Sequence, residues 1–447
     1  MPAVAGLFGT DGVRGVANRD LTPELAFALG RATAVVLGGG GRPLIAVGRD
    51  TRASGPMLQG ALAAGICSAG GDVVRLGVVP TPTVAFAIPY LGARAGAVIS
   101  ASHNAAEDNG IKFFSSEGMK LPDEFEEQIE RAVREGDGPR PTGASVGRVR
   151  DDPATIDAYV EHVESAAEAP LDGMLVVVDC ANGAAHRLAP RVLERLGAEV
   201  HAINTEHDGV KINEGCGATH PEVVAAAVRE LRADAGVSHD GDADRALFAD
   251  ADGTVIDGDQ VITACALALK EEGRLKADSV AVTVMSNLGL RRALEEAEIT
   301  VLETKVGDRY VLEELLRSGA ILGGEQSGHV IFLDHATTGD GLLTAVRFLS
   351  LARRERATLA DLAGQMRRYP QVLESIRVVD PSGLEEAGKV WEAVRASEES
   401  LGDGGRVLVR SSGTEAVVRV MVEAESEEEA RHHAEAISRV VGESLAG

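Results

Sequence analysis

The sequence is short of aromatic residues, of positive charge and of paired cysteines, and each shortage removes a class of function. One Trp, four Tyr and nine Phe in 447 residues argue against stacking platforms for single-stranded nucleic acid. Lys and Arg total 44 against 69 Asp and Glu, a net charge of −25. A general nucleic-acid binder needs a basic face to meet phosphate backbones. A local basic pocket for a small anion stays open. Only seven of the basic residues are Lys. Cys67, Cys180, Cys216 and Cys265 form no CxxC pair, so neither a zinc knuckle nor a dithiol redox site is supported. They read as free thiols of a reducing cytosol. No apolar run reaches the ~18 residues of a membrane span; the best stretch, 85–99, contains Pro89 and Arg94. Thr10, Asp11 and Arg14 break up the N-terminus before a secretory signal can form. The expectation is a soluble, cytoplasmic protein with no membrane or nucleic-acid partner.

What remains is ordinary globular usage, 45% hydrophobic and 25% charged, which rules out a disordered chain. At roughly 150 residues per domain the length predicts about three domains, with two or four within range. Short β-rich apolar runs alternate with helical stretches, the signature of parallel sheets covered by helices. Three βαβ units look alike. They comprise strand 44–48, helix 57–69 and strand 73–79; strand 175–179, helix 187–196 and strand 199–203; and strand 279–285, helix 288–296 and strand 300–304. They predict three related α/β domains. The last ~80 residues read differently. Strands at 372–379, 406–410 and 417–423 and helices at 384–396 and 426–443 predict a separate α+β domain. The expected boundaries are 1–150, 151–253, 254–367 and 368–447, with linker-like composition at 134–151 and 367–370.

Several segments carry chemistry. Ser100-Ala101-Ser102-His103-Asn104 follows the apolar run 95–99, and loops after such strands are where α/β sheets place their sites. It is not a GxSxG elbow. His103, and Lys112 ten residues on, can shuttle protons or hold an anion; the plainer alternative is a capped polar turn. Asp240, Asp242 and Asp244 alternate in Asp240-Gly241-Asp242-Ala243-Asp244-Arg245. Three carboxylates so close repel one another, which makes sense if they converge on a hard cation such as Mg²⁺. An EF-hand is excluded, because Arg245 and Ala251 stand where Gly and Glu are needed. The later Asp250, Asp252, Asp257 and Asp259 read as hairpin turns. Arg410-Ser411-Ser412-Gly413-Thr414, with Arg419 beyond, combines a Gly-turn nest, hydroxyls and two guanidiniums, a phosphate-binding set. In Gly324-Glu325-Gln326-Ser327-Gly328-His329, Glu325 can accept two hydrogen bonds from vicinal hydroxyls and Ser327 can add another. Arg14, in the opening glycine-rich loop, can face an anion. Gly307-Asp308-Arg309-Tyr310 is a further loop after the third unit. Together these predict a phosphosugar site where four domains meet.

The wording and order of these motifs resemble the α-D-phosphohexomutase superfamily. FGTDGVRG at 8–15, ISASHN at 99–104, DNGIKFF at 108–114, DGDADR at 240–245, GEQSGH at 324–329 and RSSGTE at 410–415 carry the resemblance along essentially the whole chain. Gln326, GDRYV at 307–311 and FGTDGVRG resemble the branch acting on glucosamine phosphates. The resemblance implies three α/β domains with mixed sheets and a C-terminal α+β domain, arranged as a heart around a central cleft. It also implies reversible conversion of glucosamine 6-phosphate to glucosamine 1-phosphate through a 1,6-bisphosphate, feeding UDP-N-acetylglucosamine and cell-wall precursor synthesis. Ser102 would be the phosphoserine. Asp240, Asp242, Asp244 and that phosphate would hold one Mg²⁺ per subunit, with Arg245 beside them. His103, Lys112 and Arg14 would flank the transferred phosphoryl group. Glu325, Ser327 and His329 would bind sugar, and Arg410, Ser411, Ser412, Gly413, Thr414 and Arg419 the phosphate that is not reacting. A hexose 1,6-bisphosphate would act as activator, and the family suggests a homodimer. Ser411, Ala416 and Ala105 stand where the family carries prolines. The alternatives are a phosphomannomutase or phosphoglucomutase, a metal-dependent sugar phosphatase, and a non-catalytic phosphosugar sensor.

Overall fold

The computed structural model describes residues 6–9, 11–39, 41–136, 138–411 and 416–445. The chain forms two compact units, Met1–Val284 with Thr300–Gly364, and Met285–Ile299 with Gln365–Gly447.

The first unit holds three sheets. One has six strands in the order Val13–Val16, Asp108–Phe114, Ala95–Ile99, Leu44–Arg49, Asp72–Val78, Val149–Asp151. The next runs Val255–Ile256, Ala246–Ala249, Ala235–His239, Leu175–Asp179, Glu199–Ile203, and the last Thr300–Thr304, Ser279–Thr283, Leu322–Gly324, Val330–Phe332. All three are mixed, whereas the alternation of runs alone predicts parallel sheets; the antiparallel partner in each follows a loop and not a helix. In each, a parallel strand turns back into an antiparallel partner: Ala95–Ile99 into Asp108–Phe114, Ala235–His239 into Ala246–Ala249, and Leu322–Gly324 into Val330–Phe332. The serine, carboxylate and glutamate loops are the connections at these three equivalent places. The strands leading into them are buried along their whole length, which is why, up to the terminal His239 of the second, they read as unbroken apolar or small-residue runs and not as alternating ones.

The core of the first sheet is built on Ile45, Val47, Leu58, Leu62 and Ile66. Its two covering helices, Pro23–Gly38 and Gly55–Ser68, meet through glycines: a Cβ on Gly65 would lie 2.0 Å from the Phe27 carbonyl oxygen.

Two sequence expectations change. The stretch 134–151 is not wholly a linker. The helix Asp123–Glu135 runs into it, and Val149–Asp151 pairs in parallel with Asp72–Val78 to complete the sheet. Ion pairing fixes that edge, Arg75 meeting both oxygens of Asp151 at 2.9 and 3.0 Å. A three-residue charged strand carries no apolar signal. Nor are Asp257 and Asp259 in a hairpin turn. Asp257 caps the helix Gly258–Glu271 in a reciprocal capping box with Gln260, and Asp259 is buried in its first turn. Only Asp250–Gly253 forms the turn.

The second unit is an antiparallel sheet, Gln371–Arg377, Val417–Glu423, Arg406–Ser411. The helices Gly388–Leu401 and Glu427–Leu445 cover it, closing a core of Val390, Val394, Val418, Val420 and Ile437. The helix Leu288–Glu296, read as part of the third βαβ unit, belongs to this unit. Asn287 at its start donates to the Tyr369 carbonyl at 2.9 Å and accepts the Tyr369 N–H at 3.0 Å. Among the described residues all four cysteines are free, and no helix is long and apolar enough to cross a membrane.

Candidate active site

Ser102 sits two residues beyond Ser100, in the loop that follows the strand Ala95–Ile99. It is almost wholly buried and takes a left-handed backbone, φ 50°. That conformation is costly for a residue with a Cβ and persists only where the surroundings fix it. Here they do. Ser100 Oγ accepts the Ser102 N–H at 3.0 Å and donates to Asp50 Oδ2 at 2.6 Å. Asp50 pairs with the fully buried Arg52 at 2.9 Å. Arg52 in turn donates to the carbonyls of Ser102 and Asn104 at 3.0 and 2.8 Å, to that of Asp108 at 2.9 Å, and to that of Ala105. Asn213 adds bonds to the Ser102 and Asn104 carbonyls at 2.8 and 3.0 Å. The loop is thus held through its carbonyls, which leaves Oγ free to act. Ser102 Oγ donates to Asp240 Oδ2 at 2.6 Å and lies 3.3 Å from His103 Nδ1.

The carboxylate loop faces it. Oxygens of Asp240, Asp242 and Asp244 lie within 4.8 Å of one another, and all three residues are buried. The loop backbone is anchored on every side. The Gly241 carbonyl accepts the Ala184 N–H at 2.8 Å, that of Asp242 the Thr81 N–H at 2.9 Å, and that of Ala243, itself left-handed, the Gly341 N–H at 3.1 Å. Gly241 has no room for a side chain, since a Cβ would stand 2.5 Å from the Ser102 carbonyl. Thr81 Oγ1 donates to Asp242 Oδ2 at 2.6 Å. His329 Nδ1 faces Asp244 Oδ2 at 3.5 Å. In all three residues Oδ1 is buried with no hydrogen-bond partner. Buried carboxylate oxygens are normally satisfied. Three orphans in one cluster, each on a hard oxygen donor, fit a divalent cation such as Mg²⁺.

The charges around the cluster divide. Burial, then Asp244 and Asp242, push the Asp240 carboxyl up. Burial acts the same way on Asp244, but His329, Lys112 and Arg245 outweigh it and hold it well below the usual range. Lys112 lies 4.0 Å from Asp242; burial disfavours its ammonium, yet Asp242, Asp11 and Asp244 push its pKa up, so it is a fixed cation. Burial and the guanidiniums of Arg245 and Arg14 push His103 down, toward the neutral imidazole. His329 is buried; burial disfavours its cation and Asp244 favours it, and the backbone around the ring decides between them. The Gly339 N–H donates to its Nε2 at 3.1 Å, which requires a lone pair there and places the proton on Nδ1, toward Asp244.

The other expected residues fall as follows. Arg14 stands opposite Gly110 on the edge strand, on the same face as Lys112, and pairs with Asp11 at 3.0 Å. Its Nε is buried without a partner. Arg245 Nε is 3.8 Å from Asp244. Glu325 Oε1 accepts the Gly307 N–H at 3.1 Å, and Ser327 Oγ is 3.5 Å from its Oε2. His329, expected among the substrate contacts, has both ring nitrogens engaged as described. In the second unit Arg410 and Arg419 are directly opposed across the antiparallel pair, and Ser411 is exposed. Like charges in that register repel, an arrangement that suits an anion. Ser412, Gly413 and Thr414 lie outside the described residues.

Thr81, Asn213 and the Asp50–Arg52 pair were not found from sequence. Thr81 opens a helix in Thr-Pro-Thr, which looks like a cap signal, and Asn213 lies in an irregular stretch. The only hint for Asp50 and Arg52 was the polar turn ending the strand Leu44–Arg49.

Four family models match in chain order. They are "Phosphoglucomutase/phosphomannomutase, alpha/beta/alpha domain I" at 5–140, domain II at 157–253, domain III at 257–369 and the C-terminal domain at 373–440. A phosphoglucosamine mutase of Symbiobacterium thermophilum is 55% identical over 444 residues, 98% of this chain and 99% of the relative. One of Frankia alni is 53% identical over 448 residues, 98% of each. Among solved structures, a phosphoglucomutase/phosphomannomutase family protein of Burkholderia thailandensis superposes with a TM-score of 0.83 at 27% identity, covering 99% of both chains. With the buried serine, the orphaned carboxylates and the four domain matches in one chain, the protein belongs to the phosphoglucosamine mutases of the phosphohexomutase superfamily.

Proposed function

We propose that the protein interconverts glucosamine 6-phosphate and glucosamine 1-phosphate, with Ser102 as the phosphorylated residue. The observation that carries this is Ser102 Oγ, 2.6 Å from Asp240 at the edge of three carboxylates with unsatisfied oxygens. In the forward direction the phosphoryl group leaves Ser102 Oγ for O1 of the sugar. One P–O bond breaks and one forms, and the O1 proton passes to a base. The 1,6-bisphosphate then turns over, and its 6-phosphoryl group returns to Oγ. His103 and Lys112 are the candidate proton carriers. His103 lies 3.3 Å from Oγ, within reach of a proton moving to or from that atom, whereas Lys112 as a cation suits the transferring phosphoryl group together with Arg14.

Asp240, Asp242 and Asp244, with the Ser102 phosphate, would hold one Mg²⁺, which supplies charge neutralisation when bound. Arg245, Glu325, Ser327 and His329 are proposed to position the sugar, His329 by holding Asp244. Arg410, Ser411, Ser412, Gly413, Thr414 and Arg419 are proposed to bind the non-reacting phosphate. A hexose 1,6-bisphosphate would recharge Ser102 whenever the intermediate escapes.

The test is phosphorus NMR of glucosamine 6-phosphate with enzyme, Mg²⁺ and a trace of glucose 1,6-bisphosphate, beside Ser102→Ala and glucose 6-phosphate. The 1-phosphate should appear, faster than from glucose 6-phosphate, and not in Ser102→Ala. Inorganic phosphate as the main product would replace this reading with a phosphatase. Faster turnover of glucose 6-phosphate would move the chain to the phosphoglucomutase activity.

A further inference from the structure

The carboxylate loop is held in part by a connection that belongs to no sheet. Residues 333–340 link the strand Val330–Phe332 to the helix Gly341–Glu355. Two backbone N–H groups where the connection meets the helix serve the site. Gly339 donates to His329 Nε2 at 3.1 Å, and the other nitrogen of that ring faces Asp244. Gly341 donates to the Ala243 carbonyl at 3.1 Å. Both glycines lie flush against their partners. A Cβ on Gly339 would stand 2.5 Å from the His329 ring, and one on Gly341 2.3 Å from the Arg245 carbonyl oxygen. The residue between them, Asp340, therefore sets where both donors stand.

Asp340 is buried, and its carboxylate is the anchor. Oδ1 accepts the Leu343 N–H at 3.0 Å, which starts the helix. The Tyr159 hydroxyl reaches both oxygens, at 3.0 and 2.9 Å. Tyr159 is buried and comes from the helix Pro153–Ser165, which supplies no residue of the site. His162, one turn further on the same face, donates from Nε2 to the His335 carbonyl at 2.9 Å and grips the other end of the connection. Phe86 closes that face. It stacks on the His162 ring with centroids 5.0 Å apart and stands edge-on to Tyr159 at 5.7 Å. Phe86 belongs to the helix Thr81–Leu91, whose first residue donates to Asp242. The rings of Tyr159 and His162 thus sit between two elements that each reach the carboxylate loop.

We propose that Tyr159 is a positioning residue for the carboxylate loop: through Asp340 it fixes the segment 339–341, and with it the two N–H groups that hold His329 and the Ala243 carbonyl. This rests on the cation reading of the three aspartates given above. Without the hydroxyl a buried carboxylate oxygen loses its donor, which costs more than the bond is worth. The carboxylate then turns to recover one and carries Gly339 and Gly341 with it. The plainer role for Tyr159 is that of a core aromatic whose hydroxyl has found a partner. The two roles differ in what they move. A core residue changes stability alone, whereas a positioning residue changes the affinity of the loop for its ion.

The experiment compares Tyr159→Phe, Val160→Ala, Asp340→Asn and the double variant Tyr159→Phe/Asp340→Asn with the wild type. Calorimetry reads the Mg²⁺ Kd, and hydrogen exchange of the metal-free chain reads local opening. Tyr159→Phe should weaken Mg²⁺ binding about tenfold, as loss of an outer partner of a metal ligand does, and quicken exchange at 240–245 and 339–341. Val160 is buried on another face of the same helix. Its truncation should lower the melting temperature at least as much and leave both readings unchanged. Asparagine at 340 still caps the helix. In that background the loss of the Tyr159 hydroxyl should add little, because the residue it acts through is already altered. An unchanged Kd in Tyr159→Phe, a Kd that follows melting temperature through Val160→Ala as well, or equal effects in both backgrounds would overturn the proposal. Should Tyr159→Phe not fold, His162→Ala at its half-buried position decides. It frees the far end of the connection and should shift both readings the same way, and no shift would overturn the proposal. A wild type that binds no Mg²⁺ would sink the cation reading by itself, and exchange at 240–245 would still judge Tyr159.

Discussion

At the scale of single residues, the site depends on backbone that side chains could easily disturb. Ser102 and Ala243 are both left-handed, and the Gly241 backbone lies against the Ser102 carbonyl with no space for a methyl group. Gly241→Ala should therefore displace Oγ from Asp240 by an appreciable fraction of an ångström. Misplacement of about 1 Å can cost about 100-fold in rate, so kcat should fall by that order, and the melting temperature should fall with it, as overpacking against backbone requires. Unchanged kcat would show that the loop accommodates the methyl group without moving Ser102. Glu126, which lines a cavity together with Lys112 and Asp244, offers a pH test read on stability alone. It is buried, and burial above all raises its pKa from the ordinary 4.5 to about 7. With the folded value above the unfolded one, its contribution to stability is complete below about pH 4.5 and is lost as pH rises through 7. Glu126→Gln, a neutral isostere, should match the wild type at pH 5 and melt higher at pH 8. Equal differences at the two pH values would place its carboxyl in solvent.

At the scale of elements, the close crossing of Pro23–Gly38 and Gly55–Ser68 yields a prediction with two signs. A Cβ on Gly65 would meet the Phe27 carbonyl oxygen at 2.0 Å and the Arg31 nitrogen at 2.9 Å, whereas Gly60 on the same helix has open space around it. Gly65→Ala should destabilise by about 3 kcal/mol or more, as overpacking against backbone does. Gly60→Ala should stabilise by up to about 1 kcal/mol through helix propensity. Urea unfolding followed by circular dichroism reads both. Two shifts of the same sign would contradict the close crossing. The helices and strands themselves were legible, because their length and burial produce strong patterns. The strands Leu175–Asp179, Glu199–Ile203, Thr300–Thr304 and Val417–Glu423 lie where their apolar runs place them. Elements held by charge were not legible. Val149–Asp151 is exposed and fixed by Arg75, and Asp257 looks like a turn residue until the helix it caps is seen. The site divided in the same way. Ser102 and the three aspartates stand in short contiguous motifs, whereas Asp50, Arg52, Thr81 and Asn213 act through backbone brought together by folding, which no spacing in the chain records.

At the scale of the molecule, an excess of 25 negative charges sets the background against which three buried carboxylates must be held together. Their unsatisfied oxygens, the raised Asp240 and the opposing cations Lys112 and Arg245 describe a loop kept in place against its own repulsion. Mg²⁺ should therefore stabilise the folded chain by mass action, by about 2.7 kcal/mol at a hundred times its dissociation constant. The gain has a predictable location. The loop is bonded through Asp242 to Thr81, through Ala243 to Gly341 and through Gly241 to Ala184, so ordering it should slow amide exchange at 81, 184 and 341 as well as at 240–245. Hydrogen exchange with and without Mg²⁺, in the wild type and in Asp242→Asn, checks this. Protection should rise at those four places in the wild type and not in the variant, because the asparagine keeps the volume and loses the charge. Protection spread evenly along the chain, or equal in the variant, would mean that the ion binds the acidic surface and not this loop.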